Sequence, residues 1–134
     1  MSGFFDAKET PLVRTDCSND AAWDQLILAL STPSVDGFLP VLSLIEASKF
    51  AGATATQVAE AAMGSNHAVL FVADALTMEL PDQPILCLNL FEAGQAFRVI
   101  PSELWSVENN LSLGNMDFRD FTDGLGEDGI HRGF

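Results

Sequence analysis

Residues 68–100, AVLFVADALTMELPDQPILCLNLFEAGQAFRVI, decide the fold. Three apolar runs stand in this stretch: 68–73 (AVLFVA), 85–90 (ILCLNL) and 96–100 (AFRVI). The first is almost continuously apolar, the pattern of a central strand covered on both faces. Pro81 to Pro84 marks a turn before the second run. Glu92-Ala93-Gly94-Gln95 has the composition of a hairpin loop joining the second run to the third. The segment therefore predicts a buried strand followed by an antiparallel meander.

Upstream, the periodicity changes from strand to helix and back. Residues 55–63 predict a helix, with Thr54 and Gln57 at capping-box spacing and Gly64 placed to end it. Its inner face is Ala55, Val58, Ala59 and Ala62, small enough to let the helix approach a sheet closely. Residues 38–45 (FLPVLSLI) predict a strand. Pro40 has no N–H to give a ladder, so this is an edge strand or one with an irregular start. In residues 18–31, Ala22, Trp23, Leu26, Ile27 and Leu30 recur near a period of 3.6, and Ser18, Asn19 and Asp20 offer N-cap chemistry. Thr32-Pro33-Ser34 ends that helix. A short strand at 12–16 opens the series, and residues 1–10 form a flexible arm.

Downstream of the meander, Pro101 suits the first turn of a helix reaching about Asn110. A last helix is expected from Asn115 or Met116 to Leu125. Phe118, Phe121 and Leu125 would share one face, with Asp117 and Asp120 near its positive end. The order β-α-β-α-β-β-β-α-α predicts an α/β (mixed α+β) fold. It is a single domain over 11–134, with a mixed sheet of about five strands and helices packed on it.

The chain has 134 residues, enough for one hydrophobic core, and its hydrophobic content of 48% fits a globular domain. No apolar run approaches the roughly 18 residues of a membrane span. MSGFFDAKETP lacks a basic segment followed by an apolar one, so a cytoplasmic location is expected. Cys17 and Cys87 lie far apart without metal-ligand spacing and are expected as reduced, buried small residues. Nineteen acids against six Lys and Arg give a formal charge of −13. Such a surface repels phosphate backbones and anionic lipid, so neither nucleic acid nor membrane is an expected partner. A basic protein is.

Reactive motifs are sparse. There is no G-x-S-x-G, and His67 and His131 are the two histidines available as neutral-pH bases. Asp117, Asp120 and Asp123 share a helix side and suit a hard cation, but lack the alternating ligands of a calcium loop. No metal and no cofactor is expected. Glu103 and Glu108 flank Trp105, and a carboxyl against an aromatic wall can titrate high. Five residues apart on a helix they differ by ~140°, so a joint acid–base role needs a second element. Gly124, Gly126 and Gly129 follow a helix, where a phosphate loop would open one.

A binding surface fits residues 101–134 better. Seven acids and two Arg surround Trp105, Phe118, Phe121 and Phe134, and aromatic anchors ringed by charge suit protein interfaces. Phe118 and Phe121 themselves fit a core-facing helix better, and Asn109 and Asn110 fit a helix end or turn. The candidate binding residues are Glu103, Trp105, Glu108, Asn109, Asn110, Asp117, Asp120, Asp123, His131 and Arg132.

Three segments, LVRTDCSNDAAWDQL (12–26), FRVIPSELWSVENNLSLGNMDFRDF (97–121) and DGIHRGF (128–134), resemble a family of small, standalone, mostly bacterial proteins catalogued only as a domain of unknown function. The resemblance implies that these segments are family hallmarks, and it brings no activity, cofactor or catalytic residue. The leading expectation is an acidic protein-binding module, immunity-protein or antitoxin-like, that masks a basic partner. The alternative is a small cofactor-independent enzyme acting on an organic metabolite in an aromatic-lined cleft. A homodimer pairing through the Pro-bearing edge strand or the last helix is a third expectation.

Overall fold

The computed structural model describes residues 3–134; the first two residues of the expected arm, Met1 and Ser2, lie outside the described residues. Six strands form one mixed sheet: β1 (Thr10–Arg14), β2 (Leu42–Ile45), β3 (Val69–Ala73), β4 (Ile85–Asn89), β5 (Ala96–Val99) and β6 (Ile130–His131), in the spatial order β2-β1-β3-β4-β5-β6. β2, β1 and β3 run parallel, β3, β4 and β5 form the antiparallel meander, and β6 joins β5 in parallel. The mixed α/β sheet is the one the sequence predicts, with β6 added. Two residues are too short to display alternation, so β6 leaves no pattern to read.

Five helices complete the fold: α1 (Asp20–Leu30), α2 (Ala55–Ala62), α3 (Ala75–Glu79), α4 (Leu104–Ser112) and α5 (Phe118–Thr122). Asn19 caps α1 by accepting from the Ala22 N–H at 3.0 Å. The Thr54–Gln57 capping box starts α2 as expected. The sequence did not announce α3. It is one turn, held by reciprocal Asp74 and Thr77 bonds and closed before Pro81.

Several boundaries move for identifiable reasons. The first strand is Thr10–Arg14 and not 12–16, because Thr10 already pairs with Leu42. Asp16 leaves the strand, its carboxylate accepting from the Ser18 N–H and hydroxyl in a local turn. Residues 38–41 stay out of β2, so Pro40 lies in the irregular approach to a strand that is itself at the sheet edge. The last helix is shorter than expected. Gly114, at φ +73°, ends α4 in a left-handed conformation, and the Asn115 N–H bonds back to the Asn110 carbonyl. Phe118 and Phe121 are both buried. Of the two cysteines expected to be buried, Cys87 is; Cys17 is exposed in the loop after β1.

The sheet divides the core in two. On one face α1, α3, α4 and α5 pack Trp23, Leu26, Met78, Leu104, Val107 and Phe121 onto Leu12, Phe71, Cys87, Phe97 and Val99. On the other, α2 and the segment around Phe50 cover Val13, Ile45, Leu70 and Val72, joined by Phe5. The first face is clothed across its width, whereas α2 covers the parallel strands and leaves β4 and β5 partly open. Burial records this: β1 and β3 are buried at every position, while β4 alternates, with Leu86, Leu88 and Asn89 only half-buried.

Candidate functional site

The ten candidate residues do not converge on one place. Glu108 is buried at 6% exposure and turned toward the sheet. Its Oε2 accepts from the Thr10 hydroxyl at 2.9 Å and its Oε1 from the Val41 N–H at 2.9 Å, with the Ser112 hydroxyl 3.1 Å from that of Thr10. This carboxylate pins the irregular start of the edge strand, a structural task. Trp105 stacks on Phe38 with centroids 4.7 Å apart and planes 15° from parallel, and its buried indole N–H has no partner among the described residues. Asn110 donates to the Ser106 hydroxyl, and Asn109 is exposed on α4.

Glu103 faces the opposite way, toward the tail. A Cβ placed on Gly133 would lie 3.2 Å from its Oε1. His131, on β6, is buried against Phe97, Phe121 and Phe134, with ring centroids 6.5, 5.1 and 4.9 Å away. Its Nε2 has no partner among the described residues. Removal from water lowers the His131 pKa below the ordinary histidine value, and the charge of Glu103 offsets part of that. The helix and the tail thus meet through Glu103, while Trp105 and Glu108 serve β1 and β2. Arg132 pairs with Asp128 at 2.8 Å and Asp82 at 3.3 Å. On α5, Asp120 accepts from the Asp117 N–H at 2.8 Å, and Asp123 is exposed.

The cations are engaged inside the molecule. Arg14 is buried, pairs with Asp20 at 2.8 Å and Glu46 at 3.4 Å, and lies 5.0 Å over the Trp23 ring. Arg98 grips Asp74 through both carboxylate oxygens, at 2.9 and 2.7 Å. Burial alone would raise the Asp74 pKa, but Arg98 and the Thr77 bonds leave it below the usual carboxylate value. Lys49 sits over the rings of Phe4 and Phe50. Of the six Lys and Arg, this leaves Lys8 and Arg119 outside such contacts among the described residues. Five acids take part in these ion pairs, so fourteen of the nineteen have no ion-pair partner among the described residues.

The open part of the second sheet face was missed in the sequence. Between α2 and the β4–β5 hairpin runs a trough of about 590 Å³, floored by Leu88 and Leu90 and walled by Ala59, Met63, Phe91 and Ala96. Met63 and Phe91 are 69% and 77% exposed. Glu60 is the one charged residue of its lining, and Glu92 stands in the hairpin loop between the lining residues Phe91 and Ala93. The signal was present in ILCLNL. Ile85 and Cys87 alternate with Leu86, Leu88 and Leu90, so β4 is apolar on both faces, yet one helix remains to cover the second. None of the five main clefts among the described residues is lined by His131. The cleft that includes His67 places its Nε2 3.2 Å from the Phe5 carbonyl. No group of three His, Cys, Asp or Glu side chains able to hold a metal gathers among the described residues. Among those residues, too, no helix is long and apolar enough to cross a membrane.

No curated protein matches the chain. Residues 9–134, nearly its whole length, match the family described as Domain of unknown function (DUF6924), and the chain belongs to that family.

Proposed function

We propose that the chain is a cytoplasmic, acidic protein-binding module that masks a basic partner, in the manner of an immunity protein or antitoxin. The observation that carries this reading is the one-sided use of charge. Arg14, Arg98 and Arg132 are consumed by internal ion pairs, and fourteen acids have none among the described residues. The field reaching solvent is therefore more uniformly negative than composition alone implies. Such a field speeds encounter with a cationic protein and makes the encounter sensitive to salt. The enzyme alternative has less support. It needs a deep apolar cleft containing a convergent histidine or carboxylate, whereas His131 is packed among phenylalanines and Glu60, the one ionisable residue lining the 590 Å³ trough, is exposed on α2.

The test is capture from the native host by the immobilised chain at low salt, followed by elution with a salt gradient. A basic protein that is retained and then released by salt supports the reading. Retention of no basic protein overturns it.

A further inference from the structure

Resting on that reading, we infer that the trough between α2 and the β4–β5 hairpin is where the partner docks, and that the docking element is a cationic amphipathic helix. Three observations select the occupant.

The first is backbone. β4, which carries the floor residue Leu88, is paired on both sides, by β3 and β5, and β6 pairs with β5 at Arg98 and Val99. The β4 floor therefore offers no free ladder, and an extended peptide laid across it would bury N–H and C=O groups without partners. A helix satisfies its own backbone and can present side chains alone. The second is shape and chemistry. The wall formed by α2 is eight residues long, ~12 Å at 1.5 Å per residue, which matches about two turns of a guest helix. Ala59 permits close approach, while Met63 and Phe91 offer exposed apolar surface on either side. The third is charge. Glu60 lines the trough, Glu92 stands in the hairpin loop, and no Lys, Arg or His is among the lining residues. A guest with leucine-type residues on one stripe and lysine or arginine flanking it meets both features. A second copy of the chain does not, because a two-fold contact sets the same patch against itself and opposes Glu60 and Glu92 to their own copies.

The probe is a short peptide of Leu and Lys with leucines at i, i+3, i+4 and i+7, compared with a scrambled isomer of identical charge. Titration into the ¹⁵N-labelled chain is expected to shift the amides of Ala59, Met63, Leu88 and Phe91. The patterned peptide should bind about tenfold more tightly than its isomer. Ala59→Lys should abolish that preference, and Phe91→Ser, at an exposed position that does not threaten folding, should reduce it. Asp24→Lys, exposed on α1 on the opposite face of the sheet, should leave it intact. Equal binding of both peptides, or shifts confined to another surface, overturns the trough as the site while the acidic-partner reading stands. Binding of neither peptide at low salt overturns both. A dimer in sedimentation that Ala59→Lys dissociates overturns the helix as occupant in favour of a second copy.

Discussion

The two halves of the sheet are built from similar apolar residues and clothed differently. β2, β1 and β3 carry helices on both faces; β4 and β5 carry them on one and expose a trough on the other. In the clothed half, burial is continuous and an aliphatic side chain serves stability wherever it points. In the open half, alternate residues of one strand have separate duties: Ile85 and Cys87 hold the core, while Leu86, Leu88 and Leu90 border solvent. Apolar residues left half-covered beside acidic ones are economical as a recognition surface and wasteful as scaffold.

The sharpest way to break this contrast is a pair of truncations. Phe71→Ala, at a fully buried site of β3, should cost about 3–5 kcal/mol by urea denaturation. Leu88→Ala, on the half-buried floor of the trough, should cost only about 1 kcal/mol. Equal costs would mean that the open half is covered in solution.

Glu108 tests whether the clothed half depends on a polar clamp. Glu108→Ala strands the Val41 N–H and leaves the Thr10 hydroxyl with Ser112 alone, and a loss of about 1–3 kcal/mol is expected. Glu108→Gln, which keeps a carbonyl acceptor, should recover part of it. If Glu108→Ala unfolds at the same urea concentration as the parent, the clamp is not needed.

A smaller effect should come from β6, at the outer border of the open half. The folded-state pKa of His131 is depressed, so the unfolded chain takes up a proton first as pH falls. Stability from this site is complete above the unfolded value of about 6.5 and declines as pH drops from there toward the lower folded value. His131→Phe should flatten the change in urea midpoint between neutral pH and pH 5; an unchanged slope would locate the titration elsewhere. Smallest of all, Asp123→Ala, at the exposed position just after α5, should alter stability by no more than about 0.5 kcal/mol. A larger shift would give that carboxylate a partner.

What the sequence made legible follows from the same contrast. Continuous apolar runs and 3.6-residue periodicity announced β3, α1, α2 and the meander, because those elements bury a large, regular surface. Pro40 announced an edge strand or an irregular start, and residues 38–45 show both. The one-turn α3, the two-residue β6 and the early end of α5 were hidden, since they depend on caps and on neighbours far along the chain. The site was harder. Glu103, Trp105 and Glu108 are adjacent on one helix, yet rotation sends Glu103 to the tail and Glu108 to β1, and spacing alone does not say what waits on each side. The trough was visible only as a surplus: an apolar second face on β4 with too few helices to cover it.

The Thr10–Glu108 bond spans 98 residues. On the ribosome this separation becomes time. At roughly 5–20 residues per second, about 5–20 s pass between the emergence of the first strand and that of the helix that fastens it. Through that interval β1, β2 and their shared boundary with Val41 lack their buried anchor, so the N-terminal half is a nascent chain in waiting. The carboxylate that fastens the first two strands is supplied only with α4, in the C-terminal third of the chain.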